Sequence, residues 1–179
     1  MEESQLKVKG LCCCFVDFKK AFDTVPRESF WRRMEKLQML SDYMHEIFLY
    51  IYEKVICGVH MEEKILEFFT STIGVKQGCP LSPTLFGVLF DELKCMVLDF
   101  MQEEGIEEVM IRNAVVKLLL YADDVVLLAH KLEDAQKLMV VLENFCLHSG
   151  LIVNSSKTKV ILVKLSTRRS HLLCTIKSH

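Results

Sequence analysis

Apolar residues along this chain fall into short unbroken runs and into longer stretches with helical spacing. The run from Lys117 to His130, KLLLYADDVVLLAH, is the most informative. Leucine- and valine-rich flanks surround Ala122, Asp123 and Asp124, and each flank is too brief for a helix. The pattern predicts two buried strands joined by a tight turn, a β-hairpin with two acids at its tip. Residues 10–18, GLCCCFVDF, predict a further buried strand that ends on Asp17. Val55 to Met61 and Ile65 to Ile73, split by the polar break Glu62–Lys64, predict a second hairpin. In it Phe68 and Phe69 read as core aromatics first and as a binding surface second. Val109–Arg112, Val115–Tyr121, Val125–Ala129 and the VILV at the end of Ile152–Val163 complete the strand pattern.

The helical stretches lie between these. Pro26 precedes Glu28–Leu40, with Phe30, Met34 and Leu37 on one side. Ser41 suits the N-cap of Asp42–Glu53, whose stripe is Met44, Ile47, Phe48 and Ile51. Ser82 and Pro83 read as N-cap and first residue of a helix to about Gln102, which Gly105 ends. Leu132–His148 turns Leu138, Val141, Leu142 and Phe145 inward, and Gly150 is its left-handed terminator. Gly74–Ser82, with two glycines and a proline, predicts an irregular loop; Gly78 would let a backbone or a ligand approach closely. Such a loop at a helix N-terminus suits phosphate or nucleotide contact, although many loops enter helices this way.

No repeat or linker divides the chain, which reads as one domain over 1–164 and a poorly ordered tail over 165–179. The 179 residues are enough for a sizeable core. Hydrophobic residues at 51% and charged ones at 26% indicate a globular protein. No apolar run is long enough for a membrane span, and the N-terminus does not resemble a signal peptide. An intracellular protein is expected, in nucleus or cytoplasm. Eight cysteines include no C-x-x-C pair, which argues against zinc and for a reducing compartment. The net charge of −2 is unexpected for a stand-alone nucleic-acid binder.

Adjacent carboxylates beside buried strands repel each other and are costly to desolvate unless a cation sits between them. A divalent cation fits Asp123 and Asp124; a plain polar turn is the competing reading. Asp17 at a strand end is likewise either catalytic or a surface terminator.

Four blocks in order, FVDFKKAFD, GVKQGCPLSPTLF, YADD and GLIVNSSKTK, resemble the reverse transcriptases of non-LTR (LINE-type) retrotransposons. The resemblance implies an α+β right-hand polymerase palm, an antiparallel sheet packed on helices, with fingers and thumb largely absent and no endonuclease domain. It implies that Asp17 and Asp123 bind two Mg²⁺ ions (or Mn²⁺), with Asp124 as third carboxylate and the Phe18 backbone carbonyl as a further ligand. Phe22 matches a steric gate beneath the nucleotide sugar. Gln77 and Gly78 match the loop along nucleotide and template, Tyr121 and Ala122 the primer end, and Lys157 the phosphate-side basic residue, with Lys159 as its competitor. The implied partners are an RNA template, a DNA primer and deoxynucleoside triphosphates, with other segments or chains supplying fingers and thumb. The implied activity is RNA-directed DNA synthesis. The alternative is a retrotransposon-derived relic, inactive and at most a nucleic-acid-binding or interaction module.

Overall fold

A computed structural model describes residues 10–39, 41–53, 55–61, 64–111, 113–163 and 175–177. Strand β1 (Leu11–Val16) leads into a short helix α1 (Ala21–Thr24) and then α2 (Arg27–Lys36) and α3 (Asp42–Glu53). A hairpin follows, β2 (Val55–Met61) and β3 (Lys64–Ser71), then the long helix α4 (Leu81–Glu103). Short strands β4 (Val109–Ile111) and β5 (Ala114–Val116) precede β6 (Leu118–Tyr121) and β7 (Asp124–Ala129). Helix α5 (Leu132–Ser149), β8 (Lys159–Val163) and β9 (Thr175–Lys177) complete the chain.

Five strands form one antiparallel sheet in the order β6-β7-β1-β8-β9. Strand β1 is central, paired on both edges; Cys12, Cys14 and Val16 are buried, while Cys13 is half-buried and Phe15 exposed. One face of the sheet is covered by helices. Cys12, Cys14 and Val16 of β1 and Val125, Leu127 and Ala129 of β7 are buried there with Leu89, Leu93 and Val97 of α4 and Leu138, Leu142 and Phe145 of α5. Each fully buried Leu, Val or Phe contributes on the order of 1.5–3 kcal/mol. The rings of Phe18, Phe86 and Phe145 each pack on Phe90 in this layer. The opposite face is open near the end of β1. Phe15 pairs with Val126 and Lys159, and Val126 with Leu119, so these residues share that face; Phe15, Lys159 and Leu119 are exposed.

The structure corrects several expectations. Helix α2 stops at Lys36, so Leu37 lies in a turn and is exposed rather than inward. On α3 Met44 is exposed, and the buried residue is Tyr52, against Trp31. Phe68 and Phe69 are exposed at 67% and 52%, because β2–β3 is a separate two-stranded ribbon. The expected strand Val115–Tyr121 breaks at Lys117: β5 pairs with β4 and β6 with β7 in different sheets. Helix α4 begins at Leu81 with Pro80 as its N-cap, so Ser82 is inside the helix. The β9 strand falls in the stretch read as a tail; Leu40, Arg112 and residues 164–174 lie outside the described residues. Among the described residues, no helix is long and apolar enough to cross a membrane.

Candidate active site

The hairpin β6–β7 closes through Ala122 and Asp123, with Tyr121 paired to Asp124. Asp124 is therefore the first residue of a strand, and the turn proper carries Asp123. Ala122 adopts φ 52°, in the left-handed region that a residue with a Cβ occupies at a cost of roughly 1 kcal/mol or more. The last registered pair between β1 and β7 is Val16 with Val125. Asp17 and Asp124 follow on each strand, so the two acids leave the ladder as neighbours, with Asp123 beside them in the turn. Folding thus gathers all three carboxylates at one end of the sheet. Tyr121 and Ala122 are exposed next to them.

Asp17 is tied to the segment after α5. Its N–H donates to Thr158 Oγ1 at 3.3 Å, and its carbonyl accepts from Asn154 N–H at 2.7 Å. Its carboxylate Oδ2 accepts from the Asn154 amide Nδ2 at 2.9 Å. One residue on, Phe18 bridges Val153. The flanking bonds, Lys19 N–H to Ile152 O and Asn154 N–H to Asp17 O, do not use the Phe18 carbonyl. The Phe18 ring is buried. Lys157 sits in the exposed turn after Asn154, and Lys159 starts β8 opposite Phe15. Both lysines flank the acid-bearing end of the sheet.

The loop before α4 is strapped to the segment after Asp17. Gly74 N–H donates to Val25 O and Val75 N–H to Phe22 O, both at 2.8 Å. The closeness explains Gly74: at φ 71° a Cβ there would lie 2.6 Å from Asp23 O. Gln77 Nε2 donates to Asp23 Oδ1 at 3.0 Å, which holds the exposed Gln77 beside Phe22. Phe22 is half-buried and stacks on Phe86 at 4.2 Å, so one ring face is fixed by the core. Gly78, at φ 80°, faces open space, as a close-approach position requires. The Ser82 hydroxyl donates to Lys76 O at 2.7 Å and closes the loop from inside. At the helix start, the backbone N–H of Leu81, as the largest cause, and that of Ser82 hold the Cys79 thiol below its ordinary pKa.

Sequence reasoning missed Arg27. All five of its N–H donors are used: Nε on Gly74 O, Nη1 on Tyr52 O and Ser71 O, Nη2 on Ile73 O and Ser71 Oγ, at 2.6–3.1 Å. None of these acceptors is a carboxylate. Burial pulls the guanidinium pKa down, from a value high enough to leave it charged. A buried cation solvated by carbonyls thus anchors the loop that presents Gln77. Nothing in the local sequence marks it, because all but one of its acceptors are backbone atoms.

The donor set suits a hard divalent cation, being three carboxylates with a free backbone carbonyl nearby. Among the described residues, no group of three or more His, Cys, Asp or Glu stands close enough together to hold a metal ion by itself. Mg²⁺ takes one or two carboxylates and completes its shell with substrate phosphates and water. The residue types suit such an ion, and substrate phosphates and water would have to complete its shell.

A family model described as reverse transcriptase (RNA-dependent DNA polymerase) matches residues 2–174. Among similar proteins is the Retrovirus-related Pol polyprotein from type-1 retrotransposable element R2 of Nasonia vitripennis, 28% identical over 84% of this chain and 14% of its own length. Its counterpart from Popillia japonica is 28% identical over 93% of this chain and 27% of its length. The chain thus spans about a seventh and a quarter of the lengths of these two relatives. Among solved structures, apo telomerase from Candida tropicalis truncated from its C-terminal domain superposes with a TM-score of 0.67 at 16% identity, over 96% of this chain and 36% of that one. Telomerase from the same organism in complex with a TWJ fragment of telomeric RNA gives 0.70, over 98% and 31%. These likenesses show the α+β polymerase palm. The matched family and the retrotransposon relatives together establish that the chain belongs to the reverse transcriptase family, RNA-directed DNA polymerases of LINE-type retrotransposons.

Proposed function

We propose that this chain is a palm that adds deoxynucleotides to a primer 3′ end on an RNA template, with Asp17, Asp123 and Asp124 as its catalytic acids. The observation that carries the reading is the arrival of three carboxylates at one end of the sheet's open face, from β1 and from the β6–β7 turn. Two Mg²⁺ ions, when bound, would lower the pKa of the attacking hydroxyl and offset charge on the leaving pyrophosphate. The chain's own groups do the positioning. Asp17 and Asp123 would hold the ions, with Asp124 and the Phe18 carbonyl adjoining. Phe22, fixed by Phe86, presents a rigid edge to the sugar and excludes a 2′-hydroxyl. Gln77 and Gly78 lie along the base and template, and Tyr121 and Ala122 support the primer terminus. Lys157 or Lys159 is the residue for the phosphates.

The test is primer extension on a poly-rA template with Mg²⁺, comparing the chain with Asp123→Asn. Loss of a central ligand is expected to lower the rate by at least about a thousandfold, roughly 4 kcal/mol of barrier. Equal extension by the two proteins refutes the assignment of Asp123.

A further inference from the structure

The strap between Asp17 and the turn after α5 carries more hydrogen bonds than the chain path needs. Three of them already join the two segments: Lys19 N–H to Ile152 O, Asn154 N–H to Asp17 O, and Asp17 N–H to Thr158 Oγ1. Two side-chain bonds are added. Asn154 Nδ2 donates to Asp17 Oδ2 at 2.9 Å, and Ser156 Oγ donates to Asn154 Oδ1 at 2.7 Å. The serine occupies the oxygen of the amide, so the amide presents its nitrogen to the acid. A donor on Oδ2 fixes the rotation of the carboxylate about its Cβ–Cγ bond. Oδ1 is left without a protein partner among the described residues. The same turn carries Lys157, whose N–H donates to Asn154 O at 3.1 Å.

We propose that Asn154 is a positioning residue for Asp17. Its amide selects which carboxylate oxygen faces the cation, and Ser156 selects which end of the amide faces Asp17. The turn bearing Lys157 and the acid on β1 thereby form one unit, so the cation side and the phosphate side of the site hold a fixed spacing. This rests on the metal-binding reading of Asp17 given above. Outer residues that orient a ligand typically govern metal affinity by about 10- to 100-fold.

The experiment titrates the full chain with Mn²⁺ and reads the free ion by electron paramagnetic resonance, with thermal melting in parallel. Wild type, Asp17→Asn, Asn154→Ala and Ser156→Ala are compared. Asn154→Ala keeps all three backbone-path bonds and is expected to bind Mn²⁺ about tenfold more weakly at an unchanged melting temperature. Ser156→Ala, which frees the amide to turn over, is expected to lose about two- to threefold. Asn154→Ala binding as tightly as wild type overturns the inference while leaving the metal site intact. Wild type that binds no Mn²⁺, or Asp17→Asn that binds it equally well, removes the metal-site reading and this inference with it. Where Asn154→Ala lowers the melting temperature, Ser156→Ala decides: weaker binding supports the role and wild-type binding overturns it.

Discussion

Arg27→Met tests how much of the nucleotide-side loop hangs on one buried side chain. The substitution keeps the length of the stem and removes every donor. Five hydrogen bonds from a cation, at roughly 1.5–3 kcal/mol each, would sum to about a whole domain's stability of 5–15 kcal/mol. That sum overstates the effect, because holding a guanidinium out of water costs several kcal/mol, and methionine removes the cost. What remains are the carbonyls of Tyr52, Ser71 and Gly74 without this donor, while the Ile73 carbonyl keeps the Ser71 hydroxyl at 3.0 Å. A buried polar group left unpaired costs roughly 1–3 kcal/mol. The cavity of about 320 Å³ between Arg27, Trp31, Tyr52 and Ile73 admits water to some of them. The expected loss is therefore about 3–4 kcal/mol. With a urea slope near 2 kcal/mol per molar, the unfolding midpoint should fall by roughly 1.5–2 M. Arg27→Lys, with three donors and no planar fork, should lose about half as much. A midpoint shift below roughly 0.5 M for Arg27→Met would show that the carbonyls are satisfied without the guanidinium.

Two further outcomes are expected. Gly74→Ala forces a Cβ to 2.6–2.7 Å from the Asp23 and Phe22 carbonyls, whereas Gly78→Ala meets nothing within 4 Å. Both carry positive φ, so Gly78→Ala should cost only about 1–2 kcal/mol of strain and Gly74→Ala distinctly more, read as urea midpoints. Native thiol alkylation followed by mass spectrometry should label Cys79 well before Cys14 or Cys146. Its lowered pKa raises the thiolate fraction at neutral pH, while burial pushes Cys14 to about 12 and Cys146 to about 11. Equal labelling of the three in the native protein would contradict the arrangement at the start of α4.

The hairpin around Asp123 and Asp124 was legible because two brief apolar runs parted by acids are too short for helices and fit paired strands with a polar turn. So was β1, whose cysteines and phenylalanine read as a strand buried in a sheet. Where a residue's role depends on backbone acceptors far along the chain, the sequence was silent. Arg27 reaches carbonyls 25 to 47 residues away, and carbonyls have no residue type. Ser82 misled for a related reason. Its hydroxyl is a good cap in isolation, but the loop offers Lys76 O, and the helix starts earlier. Asn154 stood in a recognisable block, yet its partner Asp17 is 137 residues upstream.

That separation bears on synthesis as well as on the site. Strand β1 is made first, and both strands that flank it, β7 and β8, come from the second half of the chain. Until they emerge, LCCCFV has two open edges and nothing to pair with. Long-range pairing of this kind folds slowly and leaves aggregation-prone surface exposed meanwhile. The three acids come together with the β1–β7 pairing, before β8 is in place. A ribosome-bound chain stalled at the end of α5 would hold the β6–β7 acids and Asp17 without the Asn154 turn that orients Asp17.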